Sequence, residues 1–111
     1  MRIWDIEPAK LCRQHLLGEH RELHAIWSIL TRGKKGYSRH PETMRWKGKL
    51  LALYRRHDKL VKEMKKRRYE HHSPLDHGLA KGGRVQKEYV DSYKEQVRIL
   101  KNKGCGCRLR G

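Results

Sequence analysis

His15, Gly18 and Glu22 recur at three- and four-residue spacing. On a helix they fall within roughly 60° of one another, with Arg21 beside them. A mid-helix glycine costs up to about 1 kcal/mol relative to alanine, and close approach of another backbone or a ligand is one reason to carry it. The candidates for that approach are an external ligand and the chain's own N-terminus, since few residues precede the helix. A glutamate at the edge of an apolar stripe is partly desolvated, which suits an acid that moves a proton. The plainer reading, a surface Glu22 paired with an arginine, is the one periodicity by itself favours.

Three cysteines and eight histidines are the other chemically able residues. Cys105 and Cys107 form a C-x-C pair, and with Cys12, His71, His72 or His77 they could supply the four N or S ligands that zinc prefers. The spacing matches no closed zinc motif, so the expectation is no metal and no cofactor. A tail anchored by burying small residues, or a redox-labile pair, accounts for the cysteines instead. His57 lies in an apolar stripe and reads as a core histidine, whereas His20 and His24 read as surface or DNA-facing. Glu19 falls inside an apolar stripe, where a buried acid paired with an arginine would sit. Trp4 and Trp46 read as core.

The elements that must position these residues are helical. The chain has 111 residues, one domain's worth, with 28 Lys plus Arg against 12 Asp plus Glu and a net charge of +16. No run approaches the roughly 20 apolar residues of a membrane span, the opening residues do not read as a secretory signal, and three cysteines make no disulfide framework. The chain reads as a soluble, cytoplasmic domain, and a charge of this size favours a polyanionic partner, nucleic acid by default. The charge is uneven. Residues 1–30 are neutral, residues 31–75 carry fifteen bases and four acids, and residues 76–111 carry nine and four. A neutral opening segment in so basic a chain has work other than coating phosphates.

The first helix is expected from Glu7-Pro8 to about Thr31, with Gly33 just past its end. Its stripe is Cys12, Leu16, Leu23, Ile26, Trp27 and Leu30. Residues 32–40 form a loop that fits either a phosphate contact or a solvated linker. The second helix is expected from His40-Pro41 to about Arg68. Trp46, Leu50, Leu53, His57, Leu60, Val61 and Met64 lie on one face, with Arg45, Lys49, Arg56, Lys59 and Lys66 opposite. Residues 71–90 read as loop. A short third helix starts after Asp91-Ser92, where Ser92 and Glu95 have capping-box spacing, and ends at Gly104 before an irregular tail. No segment alternates at period two, so the expected fold is all-α: a compact single domain, 1–111, of about three helices.

Gln14-His15-Leu16, Glu19 and Arg21-Glu22-Leu23, soon after an opening Arg2-Ile3, resemble the pyrimidine dimer DNA glycosylases, the phage endonuclease V type that cuts DNA at ultraviolet lesions. Lys49-Leu50, Tyr54-Arg55-Arg56-His57 and Leu60-Val61 through Met64-Lys65-Lys66-Arg67 look like that family's long helix. Gln96-Val97-Arg98-Ile99 looks like its late basic helix. The resemblance spans about residues 1–75, and 90–103 more loosely.

The resemblance implies an all-α domain with the N-terminal segment packed between helices, and a glycosylase coupled to an abasic-site lyase. It implies that the nucleophile is the α-amine of Met1 and the essential acid is Glu22. It places Arg2, Arg21 and Arg98 on DNA-gripping positions and His15 on the histidine of the family's Gln-His pair. With Gln14, Arg45, Lys49 and Arg56 these make the expected DNA-binding set. An α-amine titrates near 7.7–8.0, against about 10.4 for lysine, so a useful fraction is nucleophilic at neutral pH. The chain departs from the family pattern in three places. The bulk of Arg2 should keep Met1 in place, so the amine is borne by Met1. Ala25 stands where the family has another arginine. The tail lacks the family's C-terminal aromatic cluster. These differences leave the lyase chemistry alone and bear on which lesion is recognised. The expected partner is double-stranded damaged DNA, with no membrane, and the chain is expected to act as a monomer. The alternatives are a non-catalytic basic nucleic-acid binder, a lyase for abasic sites or other damaged bases without dimer specificity, and a zinc-dependent nuclease.

Overall fold

A computed structural model describes residues 2–33, 39–71 and 74–107. Four helices occur in it, α1 (Arg13–Arg32), α2 (Pro41–Met44), α3 (Leu50–Lys66) and α4 (Tyr93–Asn102), with 3-10 turns at Pro8–Lys10 and His77–Leu79. The described residues form no strand, and the all-α expectation holds. No helix among them is long and apolar enough to cross a membrane.

Local signals set several ends as expected. The Ser92 side chain accepts from the Glu95 N–H at 3.1 Å and starts α4. Gly33 closes α1 in the left-handed conformation, φ 65°. Two starts differ. Pro8 opens only a 3-10 turn, because Leu11 and Cys12 are extended and the Leu11 side chain drops into the core. Arg67 donates to the freed Leu11 carbonyl at 2.6 Å. The expected second helix is two, broken at Gly48, φ 76°. A distant loop caps the restart: the Leu51 and Ala52 N–H groups donate to the carbonyls of Lys81 (3.2 Å) and Gly83 (3.0 Å). Such first-turn donors have no partner inside a helix. Gly82 makes this docking possible, since at φ 91° a Cβ there would lie 2.3 Å from the Gly48 oxygen.

The core joins α1 and α3 through Leu16, Leu23, Ile26 and Trp27 on one side and Leu53, Leu60 and Met64 on the other. The extended N-terminal segment runs into this core, burying Ile3, Trp4, Ile6 and Leu11. It has no helical bonds of its own, so its backbone groups need partners elsewhere. The Trp4 N–H donates to Glu19 at 3.0 Å and the Asp5 N–H to Gln96 at 2.8 Å. Arg45 and Arg56 donate to the carbonyls of Ile3 and Ile6, each at 2.9 Å. Glu19 is 1% exposed and bridges Trp4 to Arg56, whose Nε lies 2.7 Å from its Oε2. Full burial pushes the Glu19 carboxyl up from its ordinary range, and the Arg56 guanidinium pulls against that shift.

Removing one partner of a buried pair strands the other. Glu19→Ala is therefore expected to lower unfolding free energy by about 3–5 kcal/mol in urea titrations. Glu95→Ala, which breaks an exposed pair with Arg98, should leave the urea midpoint nearly unchanged.

Candidate functional site

One face of α1 and the N-terminal segment enclose an open cleft of about 610 Å³. Trp4, His15, Gly18, Glu19, Arg21 and Glu22 are among its lining residues. The helical spacing therefore does bring the Gln-His and Arg-Glu pairs to one wall. Gln14 and Arg21 are exposed and Glu22 is half-buried. Gly18 behaves differently from the expectation of a close backbone approach. Among the described residues, nothing lies within 4 Å of where its Cβ would sit, so it opens space in the cleft wall. Met1 and the loop residues 34–38 lie outside the described residues. Trp4, in contact with the cleft, fixes the chain three residues from Met1.

The expected DNA-binding set divides into two. Arg2 is partly exposed, stacks over Trp4 at 4.9 Å and pairs with Asp91 at 2.7 Å. Lys49 pairs with Glu88 at 3.2 Å, and Arg98 is exposed on α4 beside Glu95. Arg45 and Arg56 turn inward instead of facing solvent. Arg45 is 5% exposed and donates to Glu42 (2.6 Å), Asp5 (3.1 Å) and two backbone carbonyls. The N-terminal segment covers the helix face that periodicity assigns to solvent, so both guanidiniums are clamps on that segment. A second concavity, about 390 Å³, carries Arg55, Lys59, Arg84 and Tyr89 among its lining residues. Arg84 lies in the Gly-rich loop, where no periodicity singles it out.

Two groups of ligand-type side chains converge among the described residues, each with its ligand atoms within 4.8 Å of one another. Cys12, His15, Cys105 and Cys107 form the first, at the start of α1. The Cys12 Sγ lies 3.1 Å and the Cys107 Sγ 3.5 Å from His15 Nδ1. His15 thus links this group to the cleft. Burial raises the Cys107 thiol to about 12 and lowers the His15 imidazole. His20, His24, His57 and His71 form the second, between α1 and α3. Burial, with His24 and His71 adjacent, takes His20 down to about 4. The i, i+4 spacing of His20 and His24 is a sequence signal for a shared site, but their meeting with His57 and His71 follows only from helix packing. His72 lies outside the described residues.

Gly18→Ala should stabilise α1 by about 0.5–1 kcal/mol, raising Tm by several degrees. It should also weaken binding to abasic-site DNA by narrowing the cleft, as read by fluorescence anisotropy. A stabilised variant of undiminished affinity would show that DNA does not enter there.

No curated protein and no solved structure matches the chain. The sequence model of the pyrimidine dimer DNA glycosylase family matches residues 1–77. Those residues include the N-terminal segment, α1, α2 and α3, and with them every wall of the cleft. The chain belongs to the pyrimidine dimer DNA glycosylase family.

Proposed function

We propose that the protein is a DNA base-excision repair enzyme, a glycosylase with coupled abasic-site lyase activity that works through the Met1 amine and Glu22. The observation that carries this reading is the shared cleft of Trp4, Gly18 and Glu22 in a chain of this family. Three residues reach at most about 10 Å, so the anchoring of Trp4 keeps the Met1 amine within range of that cleft.

In the proposed reaction the neutral amine attacks the sugar C1′ of the lesion, the base leaves with a proton, and opening of the sugar ring, with its oxygen protonated and kept as the C4′ hydroxyl, gives a Schiff base. Abstraction of a C2′ proton then expels the 3′ phosphate and nicks the strand. Glu22 serves as the acid and base: it protonates the ring oxygen as the sugar opens and takes up the proton for elimination. The target nucleotide must leave the base stack to meet the amine, and the space at Gly18 supports its entry. Arg2, Arg21, Lys49 and Arg98 have exposure enough to hold phosphates. Arg55, Lys59 and Arg84 add a basic concavity for the distorted backbone. Substrates are lesions such as ultraviolet pyrimidine dimers, or abasic sites themselves.

Borohydride reduction in the presence of an abasic-site oligonucleotide should trap a covalent adduct on the Met1-containing peptide of the untagged protein. Glu22→Gln should abolish nicking by a hundredfold or more, in line with the usual contribution of a positioned acid–base. Tight binding with neither nicking nor adduct would sink the enzymatic reading and leave a nucleic-acid-binding module. Nicking without an adduct would indicate hydrolysis.

A further inference from the structure

We propose that the chain binds two zinc ions in closed tetrahedral sites, one held by Cys12, His15, Cys105 and Cys107 and the other by His20, His24, His57 and His71. This departs from the metal-free expectation, which rested on the absence of a contiguous motif. The fold assembles each ligand set from distant segments.

The first set is three thiols and one imidazole, a combination that structural zinc sites use. With Zn–S near 2.3 Å and Zn–N near 2.0–2.1 Å, a tetrahedron places S and N about 3.6 Å apart. The sulfur-to-nitrogen distances here are 3.1 and 3.5 Å, and all four ligand atoms fit within 4.8 Å. All three cysteines are free rather than paired in disulfides. Cys107 Sγ also accepts the Cys12 backbone N–H at 3.1 Å, the outer contact that steadies a metal-bound thiolate. The site would fasten the C-terminal tail to the start of α1, with His15 shared between it and the cleft wall. It gives the C-x-C a purpose without any chemistry on DNA.

The second set stands on its own distances. The His57 Nε2 lies 3.2 Å from the Nε2 of both His20 and His24, and the His71 Nε2 lies 3.1 Å from that of His20. A tetrahedral zinc with four imidazoles needs nitrogens about 3.3 Å apart. Imidazole Nε2 atoms each carry one proton or one lone pair, yet those of His20 and His57 each meet two others, so the rings satisfy one another poorly. A cation held among them takes all four lone pairs. This site would staple α1, α3 and the segment after α3. Four protein ligands fill each coordination sphere and leave no open position for a metal-bound water, so both sites are structural and the cleft chemistry is separate.

The test is metal analysis of untagged protein, purified under reducing conditions without chelator and then reconstituted with zinc. Two ions per chain are expected by mass spectrometry. The pair Cys105→Ser with Cys107→Ser should lose one ion, and the pair His24→Gln with His71→Gln should lose the other. One ion that vanishes only in the cysteine variant would overturn the histidine site, and one that vanishes only in the histidine variant would overturn the cysteine site. If either variant fails to fold, cobalt substitution of the unaltered chain decides. A thiolate-to-cobalt charge-transfer band identifies the cysteine site, and its absence overturns it. Visible bands without thiolate character, saturating at a second equivalent, identify the histidine site, and saturation at one equivalent overturns it. Substoichiometric metal throughout would overturn both.

Discussion

The buried pair between Glu19 and Arg56 is the contact on which the arrangement of the protein depends. Taking a carboxylate and a guanidinium out of water is expensive, and their attraction offsets it only when the remaining polar groups are also satisfied. Here both partners are also bound to the extended N-terminal backbone, Glu19 through the Trp4 N–H and Arg56 through the Ile6 carbonyl. The pair therefore fixes where residues 4–6 lie. Arg45 and Gln96 add backbone partners from two other elements. A largely extended segment is held by side chains from several elements, and α1 and α3 pack against it. Its course explains why the opening thirty residues are electrically neutral in so basic a chain. Asp5 and Glu19 serve internal positioning and Arg21 and Glu22 line the cleft, while most of the excess positive charge is carried later in the chain.

Much of this is legible in the sequence where the cause is local. The cap at Ser92 and the stop at Gly33 depend on neighbouring backbone groups, so spacing reveals them. The motif on α1 is legible for the same reason, since three- and four-residue steps fix a shared face. Periodicity also placed Glu19 inside the apolar stripe, and an arginine partner follows from the impossibility of burying a lone carboxylate. What periodicity lacks is knowledge of what covers the other face. Arg45 and Arg56 lie opposite the apolar residues of their helical stretch, but the N-terminal segment packs there and gives the helices a second buried side.

The breaks at Leu11–Cys12 and at Gly48 escape sequence reasoning because their causes are tertiary. Leu11 leaves the helix to enter the core, and Arg67 satisfies its carbonyl from the end of α3. The restart at Leu50 rests on carbonyls from residues 81 and 83. The two ligand clusters share this character. Cys12 and Cys107 are ninety-five residues apart, and His20 and His71 fifty-one. No motif with conventional spacing connects either set. Both clusters contribute residues from α1, whose third face carries Glu22. One helix thus contributes to the core, the two ligand sets and the cleft.

The central proposal is that the N-terminal amine is the reacting group and Glu22 its acid. The most direct measurement is selective reductive dimethylation of that amine at mildly acidic pH, where an α-amine near 7.7–8.0 reacts ahead of lysines near 10.4. A tertiary amine forms no Schiff base. The modified protein is predicted to bind abasic DNA with nearly unchanged affinity and to lose nicking entirely. Undiminished nicking by the dimethylated protein would contradict the claim and move the nucleophile to another group.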